Sequence, residues 1–417
     1  MKIIVNLLIV FILILNVTEA CDRPKQGNNI EILQSALCND DGISIRYCDN
    51  TQVAQGCSDC ENCTTISREE TQPWEYGVND TCDTTHYIKQ GSSRCTLKPP
   101  MRLSSKLSVA TQNTLAIYVD ANFDKSVAPT YETMKTLSTY IYKYFNDSFD
   151  FLFIVSNNVE IPDAIHYYGI FYPVQNSIKG IGKAIYDYTE YYGSNGKLQG
   201  MMHFPYRAGI NNGPTLHELL HNWANSLIST GMGGHWNYTG FFAETSSGAK
   251  GQIGGFDAST FQDEGDGKYS AAGFGPFANG GNSLPYNDVE LYLMGLIGLD
   301  EVGDVMLSSN PEYHSYSNGR KYFTADSVVR WQFPALIDEL GVGDREPSSQ
   351  DSQKSFRVLT LLVGNTVPTE EEIEEVNRYM NKFTLNAEDS ESYFYNFYEA
   401  TGGRATLKAN SLKSFIK

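Results

Sequence analysis

Thr215-Leu216-His217-Glu218-Leu219-Leu220-His221-Asn222-Trp223 is the stretch on which the rest of the chain is organised. If it is helical, positions i and i+4 share one face, a turn apart. His217 and His221 then point at one spot, and two imidazole nitrogens can grip a cation at roughly 2.0–2.1 Å, the distance zinc prefers. Glu218 follows His217 directly, beside the cation but not on it. Leu216, Leu219, Leu220 and Trp223 supply an apolar stripe that buries the helix in a domain. Gly213-Pro214-Thr215 has the form of a helix start, with Thr215 expected as the N-cap.

The surrounding chain bounds what this run can serve. Residues 2–20 have the form of a secretory signal peptide: Lys2, an apolar run from Ile3 to Leu15, and small Ala20 at the cleavage point. The run is short for a bilayer span, which needs about 20 apolar residues. A secreted or extracellular destination, without a membrane span, is therefore expected. The 417 residues carry a net charge of -18, which argues against nucleic acid or an acidic membrane surface as partner. All 8 cysteines fall between Cys21 and Cys95. An even count in a secreted segment reads as a disulfide framework, with its pairing open. Residues 21–100 are thus expected to form a small disulfide-rich module, and 101–417 the main domain. Sequons stand at Asn62, Asn79, Asn146 and Asn237.

Within 101–417 the pattern mixes strands and helices, which predicts an α+β fold. Buried strands are expected over Thr114–Val119, Phe151–Val155, Gly169–Val174 and Leu198–Pro205. A helix is expected from Pro129 to Phe145. Beyond His221 the chain reads as Gly-rich and irregular to about Leu284, with Asp263 to Gly267 as a tight turn. Helices follow over Asp288–Ile297, Asp326–Leu340 and Thr369–Phe383, the last capped by Thr369 and led by Glu370, Glu371 and Glu372. Phe356–Val363 reads as buried, either strand or helix.

His217, Glu218 and His221 together form H-E-x-x-H, the signature of zinc metalloproteases. In that reading Glu218 is the general base for a water activated by the metal. A catalytic zinc takes three protein ligands, so one is missing. His235, in the Gly-flanked run Gly233-Gly234-His235-Trp236, is the first choice, followed by Glu244, then by Glu290 or Asp288. His86, His166, His203 and His314 read as ordinary surface or hydrogen-bonded histidines. Tyr238 or Tyr292 could stabilise an oxyanion, and Met294 reads as a core residue.

Several separated pieces carry a resemblance. They are Phe149-Asp150-Phe151, Ser177-Ile178-Lys179-Gly180-Ile181-Gly182, Leu198-Gln199-Gly200 and Gly213 to His221. Further on come His235-Trp236, Asp266-Gly267, Leu291 to Leu296 and Thr401-Gly402-Gly403-Arg404-Ala405. On these the chain resembles a group of poorly characterised, mostly bacterial secreted proteins with a zincin-like H-E-x-x-H. The resemblance implies a zincin-like metallopeptidase domain acting on a protein or peptide substrate, and keeps Glu290 as a ligand or a support for one. It does not extend to the Cys-rich N-terminus. The metzincin pattern would need Gly and His where Ala224 and Leu227 stand. An inactive binding or adhesion protein on the same scaffold, or a zinc hydrolase of a non-peptide bond, are the alternatives.

Overall fold

The structure is a computed structural model. It describes residues 97–417, except 225, 229–233, 243–249, 273–274, 276–277 and 390–391, and before these the backbone of four short strands. The chain divides into two compact units, 1–99 and 100–417. In the first, Ile45–Cys48 pairs antiparallel with Cys63–Ile66, in a register that sets Cys48 opposite Cys63, and Tyr87–Gln90 pairs with Arg94–Leu97. The signal-peptide expectation falls on residues outside those described, and of the cysteines only the backbone of Cys48, Cys63 and Cys95 is described.

The second unit is mixed α and β, with several sheets. The main sheet has eight strands: β1 (Met101–Arg102), β2 (Leu107–Val109), β3 (Leu115–Val119), β4 (Phe151–Ser156), β5 (Ile170–Pro173), β6 (Gly200–Phe204), β15 (Ser355–Gly364) and β16 (Thr406–Lys408). Their order is β1-β2-β3-β15-β4-β6-β5, with β16 beside the start of β15. The four central strands β3, β15, β4 and β6 run parallel, and β5 closes one edge antiparallel to β6. Phe356–Val363 is thus a strand in the middle of the sheet, as its unbroken apolar run permits.

Alternation along β4 divides the core. Leu152 and Ile154 pack on one face with Met134, Leu137 and Ile141 of helix α1 (Tyr131–Tyr144). Those positions repeat at i, i+3 and i+7, and Thr130 caps the helix by accepting from Thr133 N at 3.2 Å. Phe151 and Phe153 point the other way. Phe151 meets Trp223 at 5.9 Å between ring centroids, and Phe153 meets Phe383 of helix α6 (Glu370–Phe383) at 6.3 Å. Helices therefore cover both faces, and the H-E-x-x-H segment lies on the second.

Two further sheets correct the irregular reading after His221. β7 (Asn237–Phe241), β8 (Gly254–Asp257), β11 (Val305–Ser309) and β14 (Ser327–Trp331) form one, in the order β8-β7-β11-β14. β9 (Gln262–Gly265), β10 (Lys268–Ala272), β12 (Glu312–Ser317) and β13 (Arg320–Thr324) form the other, in the order β9-β10-β13-β12. Tyr238, Phe256 and Met306 of the first pack with Ala271 and Phe323 of the second. The turn expected over Asp263 to Gly267 is narrower: β9 runs to Gly265, and the hairpin turns at Asp266 (φ 51°) and Gly267 (φ 70°). The single helix expected over Asp326–Leu340 is instead β14 followed by helix α5 (Phe333–Leu340), with Pro334 in its first turn.

Candidate metal centre

Two helices lead to the site: α2 (Gly209–Asn212) and α3 (Thr215–Leu220). The expected Thr215 cap is not the one used. Thr215 lies inside the helix, and its hydroxyl donates back to the carbonyls of Gly209 (3.1 Å) and Ile210 (2.9 Å). The buried helix-start donor, Leu216 N, is taken by the Asn282 side chain at 2.9 Å, and Asn282 Nδ2 also holds Ile210 O and Asn211 O. Tyr286 Oη donates to Leu216 O at 2.9 Å. A distant segment thus caps a six-residue helix that could not stand alone. His221 follows at φ −58°, ψ −15°, still right-handed, so the one-turn spacing of His217 and His221 survives the helix end.

The imidazoles of His217, His221 and His235 converge. His221 Nε2 lies 3.2 Å and His235 Nε2 lies 3.3 Å from His217 Nε2, and the three candidate ligand atoms fall within 4.8 Å of one another. Nitrogens bound at about 2.1 Å in a tetrahedral shell sit roughly 3.4 Å apart, so the spacing suits one cation. The tautomer also fits. His217 Nδ1 donates to Gln252 O at 2.8 Å, which leaves Nε2 as a bare lone pair facing the cluster. Burial drives His217 down to about 4, assisted by nearby His235 and opposed by the Gln252 carbonyl. Burial, then His217, His235 and Lys183, hold His221 well below the usual range. His217 and His221 therefore stay neutral, the form that binds metal. This group can hold a metal ion.

Glu218 is 5% exposed and lines the same cleft. Burial raises its carboxyl to about 8, and a hydrogen bond from Phe171 N partly offsets this. Edge strand β5 thus touches the acid. Gly169, just before it, leaves the room: a Cβ there would lie 2.8 Å from Pro214 Cγ and 2.9 Å from Glu218 Cγ. The cleft is about 690 Å³, a size that suits a bound ligand, and Gly169, Ile170, Phe171, Pro173, Lys183, Tyr186 and Tyr188 share its walls with the three histidines. Burial lowers Lys183 to about 8.

The remaining candidates separate. Glu290 is fully buried away from the cluster and is the capping-box acid of helix α4 (Asp288–Met294). It accepts from Trp236 Nε1 at 2.9 Å and from Asn287 N at 3.0 Å. It therefore supports the loop carrying His235 and is not a ligand. Asp288 is also outside the cluster, and Glu244 lies outside the described residues. Tyr238 packs on Phe323, and Tyr292 packs on Phe333 and bonds Arg345 N, so neither reaches the cleft. Met294 is a core residue, 1% exposed. His203 is buried between Ser156 Oγ (2.9 Å) and Tyr167 Oη (2.8 Å), while His166 and His314 are exposed. His86 is outside the described residues. Asn237 is 1% exposed, so the folded chain leaves no room for a glycan there, whereas Asn146 is open.

Sequence reading missed Asn282, Gln252 and Lys183. Only Lys183 left a trace, as the residue after the Ser177–Gly182 run. Comparisons with models of known protein families, with curated proteins and with solved structures find no match.

Proposed function

We propose that the chain is a secreted, zinc-dependent endopeptidase of zincin type. The observation that carries this reading is the convergence of three imidazoles beside a buried glutamic acid, under an antiparallel sheet edge. Three nitrogens with one side open to a cleft is the donor set of a catalytic zinc rather than of a closed structural one. A zinc ion held there supplies Lewis acidity, polarising a carbonyl and acidifying a water.

The chain's own groups do the rest. Glu218 takes the proton from the attacking water and returns it to the leaving amine. A cation on the histidines draws its pKa back down from the raised value that burial imposes. Gln252 fixes the His217 ring through Nδ1. An extended peptide can lie along β5 by strand addition. That edge offers carbonyls more than amides, because Phe171 N is engaged by Glu218 and Pro173 has no N–H. Among the described residues no helix is long and apolar enough to cross a membrane.

Glu218→Ala tests the reading. It should keep about one zinc per chain and lose hydrolysis of an unfolded protein substrate, activity that a chelator also removes from the wild type. Undiminished hydrolysis by the variant overturns the mechanism; a zinc-loaded wild type that cuts nothing leaves a binding protein on this scaffold.

A further inference from the structure

The run Ser177–Gly182 has no role in holding metal, yet it is built against the metal helix. Asn176, 4% exposed, braces it with a side chain that donates to Ile178 O (3.1 Å), Lys183 O (3.4 Å) and Ala184 O (2.8 Å) and accepts from Ile178 N. Gly182, at φ 69°, presses so close to the chain beyond the metal helix that a Cβ would meet Ser226 O at 2.6 Å. The result is the placement of the next side chain. Lys183 Nζ donates to His221 O at 3.2 Å and Asn222 O at 3.1 Å, at the carbonyl end of the H-E-x-x-H segment. Its ammonium stands 5.9 Å and 5.7 Å from the ring centroids of Phe171 and Tyr186.

Two carbonyls use two of the three ammonium protons. Among the described residues no carboxylate pairs with Lys183. Of the described residues lining the cleft, only it and Glu218 have an ammonium or a carboxyl group. A half-buried cation held by a braced loop in a ligand-sized cleft is a recognition group. The chain's net charge of -18 does not cancel it, because screening limits distant charges to about 8 Å at physiological salt.

We propose that Lys183 sets substrate preference, by binding a carboxylate carried by the peptide next to the metal. This rests on the peptidase reading and names its substrate class: peptides presenting either an acidic side chain or a free C-terminal carboxylate at that subsite.

The experiment uses the zinc-loaded full chain and three peptide hydroxamates that differ in one group. The residue after the hydroxamate-bearing unit is glutamate amide, glutamine amide, or glutamine with a free carboxylate. Isothermal titration reads their Kd. At least one carboxylate probe should bind about tenfold tighter than the neutral one, as a charge-assisted hydrogen bond supplies. Which one does so identifies the source of the carboxylate. Lys183→Met should bring the three within about twofold while the neutral probe keeps its affinity. If Lys183→Met fails to fold, Lys183→Gln, which can still donate to the two carbonyls, carries the same expectation. Equal binding of all three by the wild type, or a preference surviving in the variant, overturns the proposal. Hydroxamate binding needs no turnover. A preference without hydrolysis therefore sinks only the peptidase reading, and hydrolysis without a preference sinks only this one.

Discussion

Glu290 shows what one residue can do without joining the histidine cluster. An acid in the first turn of a helix is chemically both a cap and a ligand, so its sequence position leaves the choice open. Packing makes it. The carboxylate accepts from Asn287 N, Trp236 Nε1 and, at 3.4 Å, Ile253 N. Burial pushes it up to about 7, with the Trp236 donor first among those opposing. Trp236 adjoins His235, and Ile253 adjoins Gln252, whose carbonyl orients His217. One buried acid thus holds the two loops that aim two of the three imidazoles. Glu290→Ala orphans several buried donors, so it should destabilise the fold by about 3 kcal/mol in urea unfolding. It should also weaken zinc binding by about 10–100-fold, read by competition with a chromophoric chelator. An unchanged zinc affinity in folded protein would show that the loops hold their geometry without it.

At the scale of elements, the meeting of β5 with α3 decides where Glu218 stands beside the three histidines. Gly169 is notched for Glu218, as its missing Cβ shows. Gly169→Ala should push the carboxylate off position and lower kcat by up to about 10²-fold, with zinc content unchanged, because displacements near 1 Å suffice for such losses. Loss of zinc along with activity would mean the helix itself had moved. Elements with strong local signals were readable in advance. α6 has Thr369 and Glu372 in a reciprocal cap, and Ile373, Val376, Met380 and Phe383 in an apolar stripe. β14 was not readable. Val328 and Val329 sit in a strand that is largely exposed, without a clean two-residue alternation, and pairing with β11 is what makes it a strand. Likewise β7 to β10 are short, and gain definition only by packing two small sheets on one core.

For the whole molecule, a metal held by the three histidines would be linked to folding. A ligand that binds only the folded state adds stability in proportion to the logarithm of its concentration, about 2.7 kcal/mol at 100 times Kd. Zinc should therefore raise the calorimetric Tm by a few degrees, and a chelator should reverse this. His217→Ala should abolish the shift, and a rise that persists in that variant would place the metal elsewhere. The sequence by itself determined the mixed α and β character, the buried core strands, and the face shared by His217 and His221 with Glu218 beside it. These follow from local periods of two and 3.6 residues, which need no partner to be read. Only the tertiary structure decided that His235 joins the pair while Glu290 supports it, that Asn282 caps the metal helix, and that Lys183 enters the cleft. Each of those joins segments far apart in the chain, and distance along a sequence carries no information about which side chains a folded core will press together.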